Sequence, residues 1–154
     1  MSLGLKPGLP LVPSGVLAGT PRIVILDDEP GPRNSHKVLL GIWFKQAVFV
    51  EFEDGNAGWE ELSHTDPDLL ITDYSHPGLP CDEMLGRLAA KKVKYPIIIS
   101  SAYVGFTPKL EQRLREQIGN DLHVYFLHKP FVLENLRIIL ETAFGIGMPL
   151  TEFQ

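Results

Sequence analysis

Short apolar runs alternate along this chain with longer stretches of helical periodicity. Runs rich in Ile, Val and Leu predict five buried strands, at residues 22–26, 47–52, 68–73, 95–101 and 122–127. After each run, apolar side chains recur three or four positions apart, as they do on one face of a helix. Pro30 and Pro108 suit the first turn of the first and fourth helices, where no backbone donor is needed. The pattern therefore predicts five β-α units.

Strands that alternate with amphipathic helices predict an α/β fold with a parallel sheet covered on both faces. Right-handed crossovers make a doubly wound sheet the natural arrangement of five such units. The length of 154 residues suits one domain with its own core. We expect a flexible leader rich in Gly and Pro at residues 1–20, the folded domain at residues 21–146 and a C-terminal tail at residues 147–154.

Composition excludes some classes of function. The formal net charge of −5 argues against direct nucleic-acid binding, which usually needs a basic surface. Cys81 is the only cysteine, so an internal disulfide is impossible and a reducing, cytoplasmic location is expected. No apolar run is long enough to span a bilayer. The five histidines lack the spacing of a metal site, so we expect them to be solvated or structural.

Chemically active side chains follow the ends of four predicted strands. Asp27 and Asp28 follow the first, Asp73 ends the third, Ser101 ends the fourth and Lys129 follows the fifth. In a doubly wound sheet the functional crevice lies outside the carboxyl ends of the strands. We therefore expect these side chains to converge.

Clustered carboxylates repel each other unless a cation neutralises them, and oxygen ligands suit Mg²⁺ or Mn²⁺. With a metal at Asp28 and Asp73, the Asp73 carboxylate could act as a nucleophile and form an acyl phosphate. Lys129 would supply positive charge to the phosphoryl oxygens, and Ser101 a hydrogen bond. The alternative is that these acids only cap helices or turns, as single strand-end aspartates often do.

This set resembles the receiver domain of two-component response regulators. The resemblance extends to residues 25–30, with the sequence Ile-Leu-Asp-Asp-Glu-Pro, and to residues 53–55, 77–78 and 129–131. It implies the flavodoxin-like fold with strand order 2-1-3-4-5, which agrees with the pattern of elements.

The resemblance also implies roles for particular residues. Asp73 would be the phosphoacceptor, Asp28 a direct metal ligand and Asp27 a ligand that acts largely through water. The backbone carbonyl of Ser75 would complete the metal ligands.

Three further positions match the switch residues of the family. Ser101 would be the switch hydroxyl, Lys129 the lysine that meets the phosphoryl group and Phe126 the switch aromatic. Ser101 stands where Thr is commoner, and the segment between Ser101 and Lys129 is longer than usual. His76 and Pro80 make the phosphoacceptor loop unusual, which we expect to affect partner choice or phosphoryl lifetime.

The implied function is a phosphorylation-dependent signalling switch, with catalysis limited to self-phosphorylation from a phosphodonor and autodephosphorylation. Expected partners are a histidine kinase or histidine phosphotransfer protein, and a downstream target or output domain. A homodimer through the face of the fourth helix, fifth strand and fifth helix is a further expectation; membrane partners are not expected.

Two alternatives remain open. One is a phosphatase or phosphotransferase of the haloacid-dehalogenase type, which needs a second aspartate at the position of Ser75. The other is a receiver-like interaction domain that takes up no phosphate.

Overall fold

A computed structural model describes residues 19–102 and 107–145 of the chain. The strands are β1 (Arg22–Leu26), β2 (Val48–Phe52), β3 (Leu69–Thr72), β4 (Ile97–Ser101) and β5 (Val124–His128). The helices are α1 (Pro30–Trp43), α2 (Gly55–Leu62), α3 (Cys81–Lys91), α4 (Pro108–Ile118) and α5 (Leu133–Phe144). The predicted tail and all but the last two residues of the predicted leader lie outside the described residues.

All neighbouring strands are parallel, in the order β2-β1-β3-β4-β5. The doubly wound α/β fold predicted from the pattern, and the strand order implied by the family resemblance, are both confirmed. The chain steps outward from β1 to β2, then returns past β1 and continues in the opposite direction. The carboxyl ends of β1 and β3 therefore flank the point where the winding reverses, which is where such sheets bind their ligands.

The sheet separates two apolar cores, because successive side chains of a strand point to opposite faces. Val24 and Leu26 face the core that α2, α3 and α4 cover. Ile23 and Ile25 face the core that α1 and α5 cover. With both faces covered, the central strands are almost wholly apolar, and this explains the continuous apolar runs in the sequence.

The predicted boundaries differ from the observed ones by a few residues. The fourth strand begins at Ile97 rather than at position 95, and Pro96 explains the difference because it has no N–H to donate to the ladder. The starts of α2 and α4 are set by N-cap side chains. The side chain of Asp54 accepts from the Ala57 N–H ahead of α2, and the Thr107 hydroxyl accepts from the Leu110 N–H ahead of α4.

The loop after β3 is seated on the N-terminus of α2. The Gly55 N–H donates to the Pro77 carbonyl at 2.8 Å. A Cβ at Gly55 would meet the backbone of Leu79, so only glycine permits this approach. Gly78 has a φ of +82°, in the region that favours glycine. These contacts fix the path of the segment that follows Asp73.

Gly55→Ala should lower the free energy of unfolding by about 1–3 kcal/mol, because the added Cβ forces the backbone at Leu79 to shift. Gly86→Ala is the matched control. Gly86 lies in the exposed interior of α3 with open space around it, so alanine should raise the free energy of unfolding by about 0.5–1 kcal/mol. Urea unfolding of both variants measures the difference. Parent-like stability of Gly55→Ala would contradict the contact.

Candidate functional site

Backbone hydrogen bonds of the sheet continue one residue beyond three strands and hold the candidate residues in place. The Asp27 N–H donates to the last carbonyl of β2 at 3.1 Å, and the Asp73 N–H donates to the last carbonyl of β1 at 2.8 Å. The Lys129 N–H donates to the last carbonyl of β4 at 2.9 Å. Each residue is therefore the first one past its strand, at the carboxyl edge of the sheet.

These residues line an open cleft of about 320 Å³. Its lining comprises Asp27, Asp28, Glu29, Pro32, Asp73, Ser75, Ser101, Ala102 and Lys129. The structure thus brings together every predicted phosphate-binding and metal-binding residue. Of the two adjacent serines, Ser101 lines the cleft, whereas Ser100 is buried with its hydroxyl unpartnered among the described residues.

Three carboxylates crowd one end of the cleft. One oxygen each from Asp27, Asp28 and Asp73 lies within 4.8 Å of the others. Asp27 is buried, Asp73 is half-buried and Asp28 is exposed at the mouth. Loss of solvent is the main cause that raises the pKa of Asp73; Asp27 and Asp28 raise it further, and Lys129 partly offsets the shift.

Lys129 is the counter-charge to this cluster. Its Nζ lies 3.0 Å from Oδ2 of Asp27, and Oδ1 of Asp27 accepts from the Glu29 N–H at 3.0 Å. Both carboxylate oxygens of Asp27 therefore have protein partners. Asp28, by contrast, is exposed and lines the cleft.

Arg33 is a supporting residue that sequence reasoning missed. Its Nη1 donates to the Asp27 carbonyl at 2.7 Å, and its Nε donates to Oε1 of Glu51 on β2 at 3.1 Å. The guanidinium thereby ties the loop after β1 to the neighbouring strand. The partner Glu51 is distant in sequence, so no local motif reveals the contact.

The acidic cluster fits a hard divalent cation. Its donor atoms are carboxylate oxygens, and a single lysine leaves the cluster with excess negative charge. Oxygen donors with room for water favour Mg²⁺ or Mn²⁺ over metals that prefer nitrogen or sulfur. The cleft also has space beside the cluster for a small anion.

Phe126 lies outside the cleft lining, on β5 at the edge of the core beneath α4. Its ring is half-buried, and the guanidinium carbon of Arg115 lies 4.5 Å from the ring centroid. The structure thus places the predicted switch aromatic against α4, and the cleft residue Ser101 lies on the adjacent strand β4.

His36 has a structural setting, as the sequence led us to expect. It is 2% exposed, and its ring stacks on Phe131 with the centroids 6.0 Å apart. Burial, reinforced by Lys129, lowers the pKa of His36 to about 4, so the imidazole is neutral at physiological pH.

A doubly wound sheet with an acidic cleft at its switch point, together with a hydroxyl and a lysine, defines the class of this domain. Residues 23–141 match the family model described as Response regulator receiver domain. The chain therefore belongs to the response regulator receiver domain family, whose members are phosphorylation-dependent signalling switches. This membership, and the serine at position 75, disfavour the haloacid-dehalogenase alternative.

Curated relatives are longer than this chain. The nitrate/nitrite response regulator protein NarL of Escherichia coli strain K12 is 32% identical over 79 residues, which cover 51% of this chain and 37% of NarL. The transcriptional regulatory protein FixJ of Bradyrhizobium diazoefficiens is 29% identical over 129 residues, which cover 82% of this chain and 58% of FixJ. The chain therefore spans less than two thirds of the length of either relative.

Solved structures share the fold. The response regulator protein TrrA of Thermotoga maritima, solved in complex with Mg²⁺-BeF, has a TM-score of 0.63 at 23% identity. The similarity covers 80% of this chain and 99% of TrrA.

Among the described residues of our chain, every helix is too short or too polar to cross a membrane.

Asp73→Asn should stabilise the metal-free protein at neutral pH. The folded state raises the pKa of Asp73, so the charged form costs stability above the ordinary aspartate pKa, and that cost disappears as the pH falls below it. Thermal unfolding in EDTA at pH 7 and at pH 3 measures the effect. Asp121→Asn, at an exposed position beyond α4, is the control and should change little. A destabilised Asp73→Asn variant at pH 7 would contradict the electrostatic account.

Proposed function

We propose that Asp73 accepts a phosphoryl group from a phosphohistidine and that the chain thereby works as a switch in two-component signalling. The observation that carries the proposal is the convergence of Asp73 with Asp28, Ser101 and Lys129 in one open cleft. The donor would be a histidine kinase or a histidine phosphotransfer protein.

In the proposed transfer, an Asp73 carboxylate oxygen attacks phosphorus. The new O–P bond forms as the P–N bond of the donor breaks, and the electron pair stays on the imidazole nitrogen, which takes a proton from water. Asp73 is half-buried at the end of β3 and lines the cleft, which positions its carboxylate for the attack. Lys129 and Ser101 line the same cleft and supply a positive charge and a hydroxyl donor to the phosphoryl oxygens.

We assign a Mg²⁺ (or Mn²⁺) site to the same cleft. Asp28 and Asp73 would be direct ligands, Asp27 would act through water because Lys129 and the Glu29 N–H occupy its oxygens, and Ser75 would offer its backbone carbonyl. When bound, the cation offsets negative charge on the phosphoryl oxygens. The similar fold of TrrA, solved with Mg²⁺-BeF, supports the assignment.

Catalysis by the chain itself would be limited to self-phosphorylation from a donor and slow autodephosphorylation by water. The phosphorylated domain would act on a downstream protein or on an output domain, since its curated relatives are longer proteins. We place it in the cytoplasm, with no direct contact to nucleic acid or membrane. A homodimer would use the face of α4, β5 and α5.

Switching would begin when Ser101 and Lys129 turn towards the new negative charge. The backbone bond between the Lys129 N–H and the Ser101 carbonyl links the ends of β4 and β5, so the two residues would respond together. Movement of Ser101 makes room for the ring of Phe126 to turn inward, which repacks the surface of α4. A state populated at a few per cent becomes dominant with a few kcal/mol of differential binding.

Incubation with Mg²⁺ and acetyl phosphate should add one phosphoryl group, observed by intact mass spectrometry. Asp73→Asn should add none, and Asp28→Ala should add much less because one direct metal ligand is gone. Asp121→Asn should label like the parent. Equal labelling of Asp73→Asn would overturn the acceptor assignment, and an unlabelled parent would favour a receiver-like domain that takes up no phosphate.

Ser101→Ala should still accept phosphate, at a lower rate, but transmit it poorly. In the parent, a phosphoryl mimic should shift amide signals near Asp73 and also in α4 and β5. In Ser101→Ala the distant shifts should be lost. Ser100→Ala is the matched control, because its hydroxyl lies outside the cleft lining and has no partner among the described residues. A parent-like response of Ser101→Ala would refute this mechanism.

A further inference from the structure

A polar network joins α4 to β5 beside the cleft. Arg115 on α4 places its guanidinium carbon 4.5 Å from the ring centroid of Phe126 on β5. Oε1 of Glu111 lies 3.6 Å from Nη2 of Arg115. The other Glu111 oxygen lies 3.3 Å from Nε2 of His128, the last residue of β5. A single carboxylate thus holds the arginine above the ring and also contacts the strand that carries the ring.

The position of Arg115 bears directly on Phe126. A cation over the face of an aromatic ring is attracted by the ring quadrupole. The Phe126 ring is half-buried, so the guanidinium lies against a ring whose surface is only partly within the core. If the ring turned towards Ser101, it would leave the guanidinium behind. The contact between Arg115 and Phe126 is therefore made only in the observed, half-buried position of the ring, which we call its outer position.

We infer that Arg115, aimed by Glu111, is a positioning residue that holds Phe126 in its outer position and so sets how readily the domain switches. The inference deepens the proposed function and rests on it, because it assigns a regulator to the same switch. No sequence motif near Arg115 predicts this role, because the residue contacts Phe126 only once β5 is packed beneath α4.

The size of the effect follows from the exposure of the contact. The Arg115 side chain is 49% exposed, so solvent screens the attraction and it is modest. An interaction made only in the outer state shifts the free-energy difference between the two states by the free energy of that interaction. Its loss should therefore raise the population of the inward state by roughly two- to fivefold.

The test uses beryllofluoride with Mg²⁺ as the phosphoryl mimic and two readouts. The first is the half-saturating beryllofluoride concentration, which Arg115→Ala should lower about two- to fivefold. The second is the NMR signal of the Phe126 ring in the unmodified protein, which Arg115→Ala should move towards its position in the beryllofluoride-bound parent. Arg115→Lys keeps a cation above the ring and should stay close to the parent in both readouts.

Arg113→Ala is the matched control, since Arg113 is exposed on the same helix and has no partner among the described residues. It should leave both readouts unchanged. The inference is overturned if Arg115→Ala matches Arg113→Ala, or if Arg115→Lys behaves like Arg115→Ala. A parent that binds no beryllofluoride defeats the proposed function instead. The contact itself is then judged by whether Arg115→Ala, unlike Arg113→Ala, shifts the Phe126 ring signal of the unmodified protein.

Discussion

The ion pair between Lys129 and Asp27 closes the carboxyl edge of the sheet. Asp27 is only 3% exposed, and an unpaired carboxylate at that depth would be costly. Its partner is the Lys129 Nζ at 3.0 Å, which reaches it from the end of β5 across the ends of β3 and β4. Both partners line the cleft, and removal of either one would leave the other charge unpaired and poorly solvated.

The acids at the carboxyl edge of the sheet lower the stability of the fold. Asp28 and Asp73 form no salt bridge among the described side chains. Lys129 offsets only part of their repulsion, and apolar burial elsewhere balances the rest. Val24 and Ile25 are fully buried on opposite faces of β1, so the central strands hold the acids in place from below. Functional sites often break local rules for stability in this way.

The sequence predicted that the strand-end residues converge, because two simple rules determine where they lie. Apolar runs mark parallel strands, and parallel strands bring their carboxyl ends to one edge, so Asp73 and Lys129 meet even though they are far apart in the chain. Contacts that depend on side-chain reach between elements could not be predicted. Arg33 contacts the Asp27 carbonyl only after α1 is packed, and Arg115 meets Phe126 only after α4 lies on β5.

Helix α4 is held less deeply in the core than α3. Leu114 and Ile118 are its buried residues and form a narrow stripe, whereas α3 buries Cys81, Met84, Leu85 and Leu88. A helix held by a narrow apolar stripe and by solvent-screened polar contacts moves at a smaller cost than a deeply packed one. Because α4 is the next helix after β4, whose last residue lines the cleft, we propose that α4 responds to a change of charge at Asp73. The proposed effect of phosphorylation is therefore a change in the surface that α4 and β5 form together.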